Sequence, residues 1–288
     1  MKILWAFDPF QKNKKLNISG KKILETLFHS KKDSIEVAYV ASKAEAELTT
    51  AFNVPEGIRY SLYPKKVINA QLKKLKMRET PVDIISSKKI SLSSMIKEFV
   101  KYTKDQKVDL VVMASNGKDL LPRLIFGSFC ETLIHSSECD LLIYHQKTKF
   151  IASKSAKKIL YAHDFTDKGD LGLKRVIEYA KKWNAQITVL HIPMFLSDMT
   201  YEQFKAITEK RALEIENSIK KENCPYEMII NYEVKPVHKI ILGVANKINA
   251  DLIAVSAQAS KFTALLGGST TRQILRESKL PSLILKVK

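Results

Sequence analysis

The sequence predicts an α/β protein made of two tandem copies of one fold, each an open, doubly wound, parallel sheet of five strands flanked by helices. Three observations support this class. KILWAFDP, which contains Asp8, returns as KILYAHDF with Asp164, and VDLVVMAS returns as ADLIAVSA. Apolar strand patterns alternate with helical ones, as in βαβ units. The 288 residues suit two domains, which we place at residues 1–147 and 156–288.

The second copy shows its elements most clearly. KKILYAHD is a buried strand, and FTDKG forms a turn before a helix with Leu173, Ile177, Ala180 and Trp183 on one stripe. Strand AQITVLHI, a helix over about 201–221 and strand YEMIINYEV follow. A helix opened by Pro236, strand ADLIAVSA, helix GSTTRQILRES and strand PSLILKV complete the copy.

The first copy repeats this order. Its strands are KILWAFD, SIEVAYVA, PVDIISS, VDLVVMAS and CDLLIYHQ, and we expect helices over about 19–30 and 92–105. Residues 42–77 hold about fourteen residues that the second copy lacks, and their assignment is the least defined. Within them, KKVINAQLKKLKMR has the spacing of a helix with a solvated lysine face.

The formal net charge is +18, with 26 basic and 16 acidic side chains in residues 1–150 and 22 and 14 in the remainder. A basic chain can bind nucleic acid, but this even spread favours ordinary solvation, so a nucleic-acid partner is left open and not favoured. No apolar run approaches the roughly 20 residues of a membrane span, and the N-terminus is unlike a signal peptide. We expect a cytoplasmic protein without membrane association. The cysteines and histidines form no metal-binding pattern, so we predict no metal site.

The carboxyl ends of the strands are the expected ligand-binding edge. Open doubly wound sheets bind ligands there, at the point where the strand order reverses. Asp8 and Asp164 follow the first strand of each copy, and Ala114 and Ser256 end the fourth strand. We therefore look for a site around these four positions.

The segment after Ala114 has two features suited to phosphate. Gly117 lets the backbone approach an anion closely. Gly127 and Ser128 begin a helix, whose free N–H groups and dipole favour negative charge. Ser128 followed by Glu131 is also a capping-box pattern that needs no ligand, and Asp8 could merely close a turn.

These residues resemble the universal stress protein family, here as a tandem two-domain member. The resemblance rests on the aspartate after the first strand, the strand–helix alternation and a loop close to G-x2-G-x9-G-[ST]. It implies Rossmann-like domains of the adenine nucleotide alpha hydrolase-like type. One branch of that family binds ATP: the aspartate and the residue ending the second strand contact the nucleoside, and the glycine loop holds the phosphates. The other branch lacks the loop and does not bind ATP.

Carried over by position, this resemblance assigns nucleotide binding in the first copy to Asp8, Val40, Ala114, Gly117, Gly127 and Ser128, with Ala114 in place of the family's first loop glycine. The second copy keeps Asp164, Ile192, Gly268 and Ser269. Ser256 and Ala259 replace both of its loop glycines, and its loop is one residue shorter. We predict ATP or a related adenine nucleotide, with or without Mg²⁺, in the first copy and a degenerate second site.

The leading functional prediction is a stress-response type regulatory protein that binds this nucleotide. We assign no catalytic residue, because the sequence shows no nucleophile–base pairing, and slow ATP hydrolysis would be incidental. The alternative is a nucleotide-free interaction module, an intramolecular pseudo-dimer that docks unknown protein partners. An enzyme that uses an adenine nucleotide is a third reading. The resemblance also implies that the fifth strands, CDLLIYHQ and PSLILKVK, pair edge to edge within the chain.

Overall fold

The computed structural model describes residues 1–10, 13–28, 32–41, 62–87, 89, 91–115, 128–145, 147–148, 157–194, 199–258 and 269–287. Contacts between residues divide the chain into two compact units, Met1–Thr148 and Lys149–Lys288. Each unit contains five strands that pair in parallel.

The first unit runs β1 (Lys2–Ala6), α1 (Lys14–Leu27), β2 (Ser34–Ala41), α2 (Leu62–Lys74), β3 (Val82–Ser86), α3 (Leu92–Asp105), β4 (Leu110–Ala114), α4 (Ser128–Ser136) and β5 (Asp140–Tyr144). Its strand order is β3-β2-β1-β4-β5. Because β1 pairs with both β2 and β4, the chain order reverses between β1 and β4. This reversal is the point where open α/β sheets bind ligands.

The second unit runs β6 (Lys157–Ala162), α5 (Asp167–Trp183), β7 (Ala185–His191), α6 (Tyr201–Lys221), β8 (Tyr226–Ile230), α7 (Val237–Lys247), β9 (Leu252–Gln258), α8 (Ser269–Glu277) and β10 (Ser282–Val287). Its strand order, β8-β7-β6-β9-β10, repeats that of the first unit. The predicted fold class is confirmed. Of the helices described, none is long and apolar enough to cross a membrane.

The interior strands β1 and β4 are almost wholly apolar, as expected of parallel strands covered by helices on both faces. All five residues of β5 and all six of β10 are buried. Trp5 and Tyr161 occupy corresponding places in β1 and β6 and are completely buried. The predicted stripe of α5 is also confirmed, since Leu173, Ile177, Ala180 and Trp183 are all buried.

Helix α1 begins at Lys14, five residues before the predicted start. The side chain of Asn13 accepts a hydrogen bond from the backbone N–H of Lys15 at 3.0 Å, which caps the first turn. The basic, polar run after Asp8 hid this start, because it carries no apolar stripe. Helix α2 confirms a helix in the lysine-rich segment, and α6 has the predicted bounds. The rest of the predicted insertion lies outside the described residues.

Gly172 marks a close approach between α5 and the sheet. A Cβ at this position would collide with Ser256 Oγ and Tyr161 OH, two groups that are hydrogen-bonded to each other at 2.8 Å. A Cβ on Gly243, in α7, would meet nothing within 4 Å. The two glycines therefore form a matched pair for one substitution.

We expect Gly172→Ala to destabilise the protein by about 1–3 kcal/mol, because inserting a methyl group into a packed site forces side chains apart. Gly243→Ala should stabilise it by about 0.5–1 kcal/mol, the helix-propensity gain of alanine over glycine. Urea unfolding followed by Trp183 fluorescence in a Trp5→Phe background measures both changes. Wild-type stability for Gly172→Ala would contradict the close packing at this position.

Candidate functional site

A cavity of about 360 Å³ lies beyond the carboxyl ends of β1, β2 and β4 in the first unit. Asp8, Val40 and Ala114 line it. They belong to three separate segments of the chain, and the strand order brings them together at the point of reversal. The volume falls within the range of small-molecule sites.

The two predicted serines each begin a helix, and the predicted glycines lie outside the described residues. Gly117 and Gly127 of the first copy and Gly268 of the second lie outside the described residues. Ser128 is the first residue of α4, and Ser269 is the first residue of α8. The N–H groups in the first turn of a helix have no intrahelical partners and can serve an anion.

The turn after β1 is closed by Asp8. Its Oδ1 accepts a hydrogen bond from the backbone N–H of Phe10 at 2.9 Å. The predicted turn-closing role is therefore present in the structure. It is compatible with ligand binding, because an ionised carboxylate has about four acceptor positions.

Aromatic side chains form much of the cavity wall. Phe10 and Tyr39 meet edge to face at the mouth, with ring centroids 5.8 Å apart, and Phe10 is 45% exposed. Trp5 and Phe7 meet edge to face at 4.8 Å. Phe10, in the turn after β1, also lines the cavity. Such walls suit a flat ring system.

Two buried polar groups of the cavity wall, Tyr144 and Cys130, are neutral. The Trp5 Nε1–H donates to the Tyr144 hydroxyl oxygen at 3.1 Å, and burial raises the pKa of that hydroxyl above its ordinary value. Burial raises the pKa of the Cys130 thiol to about 12. Cys130 and Tyr144 therefore remain neutral at physiological pH and serve as packing groups.

Two hydrogen bonds join α2 to the rim of the cavity. Asn17, which lines the cavity, donates from Nδ2 to Gln71 Oε1 at 2.9 Å. Gln71 in turn donates from Nε2 to the carbonyl oxygen of Pro9 at 2.5 Å. Sequence reasoning missed this link because Gln71 lies in the segment whose assignment was least defined, 54 positions from Asn17.

The corresponding turn of the second unit is occupied by its own side chains. Phe165 adopts the left-handed conformation, with φ at 60°, and its ring stacks on His191 with centroids 3.5 Å apart and planes 4° apart. Asp164 Oδ1 accepts hydrogen bonds from the Thr166 N–H at 3.1 Å and the Thr166 hydroxyl at 2.7 Å. Ile192, the predicted counterpart of Val40, directly follows β7.

A buried imidazole lies at the centre of this turn. The Phe165 N–H donates to His163 Nδ1 at 2.8 Å, which places the proton of the neutral ring on Nε2. That Nε2 lies 3.2 Å from Asp170 Oδ1. Burial lowers the pKa of His163 to about 4, and the nearby carboxylates of Asp170 and Asp164 offset this shift only in part.

Two further side chains complete the network. Arg211 of α6 donates to Asp170 Oδ2 at 2.5 Å, so the carboxylate joins α5 to α6. His191 Nδ1 lies 2.8 Å from the carbonyl oxygen of His163, to which it donates. Burial lowers the pKa of His191 as well. Both imidazoles are therefore neutral at pH 7.

The two turns also differ in length. Helix α5 begins three residues after Asp164, whereas α1 begins six residues after Asp8. Thr166 caps α5 by accepting from the Gly169 N–H at 3.1 Å. In β9, Ser256 is bonded to Tyr161, whereas the first unit has Ala114 at the matching place. The polar groups of the second turn thus bind one another.

Metal ligation finds no support within the described ranges. No group of three or more histidine, cysteine, aspartate or glutamate side chains there is arranged to hold a metal ion.

The fold and site define a tandem, doubly wound α/β protein with a small-molecule cavity at the strand reversal of its first unit. The sequence profile described as "Universal stress protein family" matches residues 16–145 and 155–286. The chain belongs to the universal stress protein family, as a tandem two-domain member.

Two solved structures that match nearly the whole chain agree with this fold. A universal stress protein from Archaeoglobus fulgidus DSM 4304 has a TM-score of 0.69 at 17% identity, covering 99% of this chain and 98% of that chain. A putative universal stress protein from Pseudomonas aeruginosa UCBPP-PA14 has a TM-score of 0.62 at 14% identity, covering 99% and 92%. A universal stress protein from Archaeoglobus fulgidus in complex with dAMP has a TM-score of 0.37 at 16% identity, covering 47% of this chain and 100% of that chain. No curated protein sequence matches the chain.

Proposed function

We propose that the first unit binds ATP or a related adenine nucleotide and that the protein is a cytoplasmic stress-response regulator. The observation that carries this proposal is the 360 Å³ cavity lined by Asp8, Val40 and Ala114. These are the three described residues that the family resemblance places next to the nucleotide and that meet in one cavity. Regulation, not catalysis, is the proposed role, and any ATP hydrolysis is slow and incidental.

The chemistry of the cavity supports an adenine nucleoside. Aromatic rings provide flat apolar contact for a base, and the Asp8 carboxylate is a hydrogen-bond acceptor for ribose hydroxyls. The phosphates would lie toward the start of α4, where Ser128 begins the helix. Gly117 and Gly127 belong to this proposal on sequence grounds.

The second unit is proposed to have a degenerate site. The supporting observation is the internal use of its polar groups: Asp164 binds Thr166, and Phe165 stacks on His191. A nucleoside entering this turn would have to displace both contacts. The second copy is then proposed to have a structural role. The fifth strands of the two copies are proposed to pair. The first domain is proposed to end at residue 147 and the second to begin at residue 156.

Native mass spectrometry of freshly purified protein, before and after addition of ATP, ADP or AMP with and without Mg²⁺, tests the proposal. We expect one nucleotide per chain. Thermal unfolding is the second readout, since ligand at about 100 times Kd adds about 2.7 kcal/mol of stability. Two nucleotides per chain would contradict the degenerate second site. Absence of both binding and stabilisation would favour the ligand-free interaction module.

A further inference from the structure

Helix α2 and the turn after it present a dense group of exposed cations. Four lie on the helix and two in the turn: Lys65, Lys66, Lys73, Lys74, Lys76 and Arg78. We call these six side chains the basic face. Glu79 is the only acidic residue between positions 62 and 81. Among the described residues, no ion pair involves any member of the basic face.

The basic face points away from the core because of helical periodicity. Pro64, Ile68 and Leu72 are buried on one side of α2. At 100° per residue, Lys66 and Lys73 lie about 20° apart on the opposite side, and Lys65 and Lys74 lie on the two flanks of the helix. With a rise of 1.5 Å per residue, the four lysines span about 14 Å of helix, and Lys66 and Lys73 are in line about 10 Å apart.

The basic face continues into a groove at the end of α2. This groove has a volume of about 760 Å³ and is lined by Lys73, Lys74, Lys76 and Arg78, with Ile35 and Pro81 beside them. Ile35 is near the start of β2, and Pro81 directly precedes β3. The groove therefore lies at the amino ends of the strands, opposite the edge that carries the nucleotide cavity.

The uncharged residues of this surface argue against several classes of partner. Between positions 64 and 81, the only exposed residues besides the basic face are Asn69, Ala70, Glu79 and Pro81. None of the side chains described between positions 64 and 81 is an exposed aromatic ring on which single-stranded bases could stack. The large apolar side chains described in the groove, Ile35 and Met77, are half-buried, which disfavours insertion into a membrane or anchoring of a protein interface.

We propose that the basic face binds the phosphate backbone of double-stranded nucleic acid, without reading the base sequence. A duplex carries one negative charge per about 1.7 Å of axis, so lysines spread over about 14 Å of the outer surface of a helix meet several phosphates. Lysine is a point charge that suits phosphate contact, and backbone contacts position a protein without specifying bases. This inference requires no nucleotide in the cavity.

The test is titration of the full chain into a fluorescent 20-base-pair duplex at several salt concentrations. We expect log K to fall linearly with log salt, by about 0.9 per phosphate contacted. The double variant Lys73→Gln, Lys74→Gln should reduce this slope by about 2 and weaken binding about tenfold or more at 0.1 M salt. Glutamine preserves the helix, because its propensity is close to that of lysine.

The matched control is Lys97→Gln, Lys101→Gln on α3. Both residues are exposed, form no ion pair among the described residues, and their loss changes the net charge by the same amount. This control should keep the wild-type affinity and slope. Thermal unfolding and ATP titration of both variants separate this inference from the proposed nucleotide function, because none of the four lysines lines the cavity.

Four results would overturn the proposal. They are no duplex binding at 50 mM salt, equal losses in the two double variants, tighter binding to the single strand of the same length, and tighter binding to inorganic polyphosphate or to vesicles with anionic lipid. Equal losses would show that the overall charge of +18 acts diffusely. The last two results would assign the face to a different polyanion.

Discussion

We expect Asp8→Ala to weaken ATP binding by about 10- to 100-fold, and Asp164→Ala to leave it unchanged. Asp8 lines the cavity, and a hydrogen bond to a charged group contributes about 1.5–3 kcal/mol. The Asp164 carboxylate is already engaged by the N–H and hydroxyl groups of Thr166. Isothermal titration calorimetry on each full-length variant measures the effect.

These two variants control for each other because both aspartates close a turn in the same way. Each carboxylate accepts a hydrogen bond from the N–H two residues later, at 2.9 Å in the first unit and 3.1 Å in the second. Asp164 also accepts from the Thr166 hydroxyl, so turn damage alone would be at least as large in Asp164→Ala. A loss confined to Asp164→Ala would move the site to the second unit, and equal losses would indicate two equivalent sites.

The variant Asp8→Asn separates the charge from the turn. Its amide oxygen can still accept from the Phe10 N–H, while the negative charge is removed. We expect nucleotide affinity between those of the wild type and Asp8→Ala. An affinity equal to that of Asp8→Ala, with unchanged thermal stability, would show that the charge alone matters.

The second large effect is a loss of stability of the second unit in acid. We expect its free energy of unfolding to fall by about 3 kcal/mol, because the pKa of His163 is lower in the folded than in the unfolded chain. His163 has an ordinary pKa of 6.5 when unfolded and a pKa of about 4 in the folded unit, where Asp164, Asp170, His191 and Arg211 surround it. The unfolded chain therefore binds a proton that the folded chain does not. Stability is complete above pH 6.5 and is lost as pH falls from about 6.5 toward 4.

The measurement is urea unfolding between pH 7 and pH 4 in a Trp5→Phe background. Trp5 and Trp183 are the only two tryptophans, so Trp183 then reports on the second unit alone. The variant His163→Phe gives this position the residue that the first unit has there, Phe7. It should remove most of the pH dependence of stability between pH 6.5 and 4. Part of it should remain, because burial also lowers the pKa of His191. An unchanged pH dependence in His163→Phe would refute this assignment.

The contrast between the two turns has one physical cause. Three additional residues between Asp8 and α1 leave space beyond β1, and the short turn of the second unit brings Phe165 onto His191. The left-handed φ of Phe165 is strained for a residue with a Cβ, and the stacking and the buried hydrogen bonds of His163 compensate for it. The same fold thus holds an open site and a filled one.

Much of the architecture could be predicted from the sequence. The internal repeat predicted two copies with one strand order, and the apolar stripe of α5 and the bounds of α6 were correct. These features depend on local periodicity, because the apolar residues of a buried helix face recur at spacings of three and four in the sequence. The start of α1 was wrong, because its cap at Asn13 lies in a polar run without that periodicity.

The composition of the cavity depended on tertiary structure. Asp8, Val40 and Ala114 were predicted from the resemblance, but the aromatic wall and the link from Asn17 through Gln71 to Pro9 were not. Side chains far apart in the chain share a wall only because β1 lies between β2 and β4.

The sequence alone determined that this protein has two similar units and where each unit presents its ligand-binding edge. Those facts follow from repeated strand and helix patterns, which are local. Only the tertiary structure decided that the edge of the first unit encloses a cavity and that side chains fill the corresponding turn of the second. That outcome depends on turn length, on the stacking of Phe165 on His191 and on the register of β6 with β7, which bring distant atoms into contact.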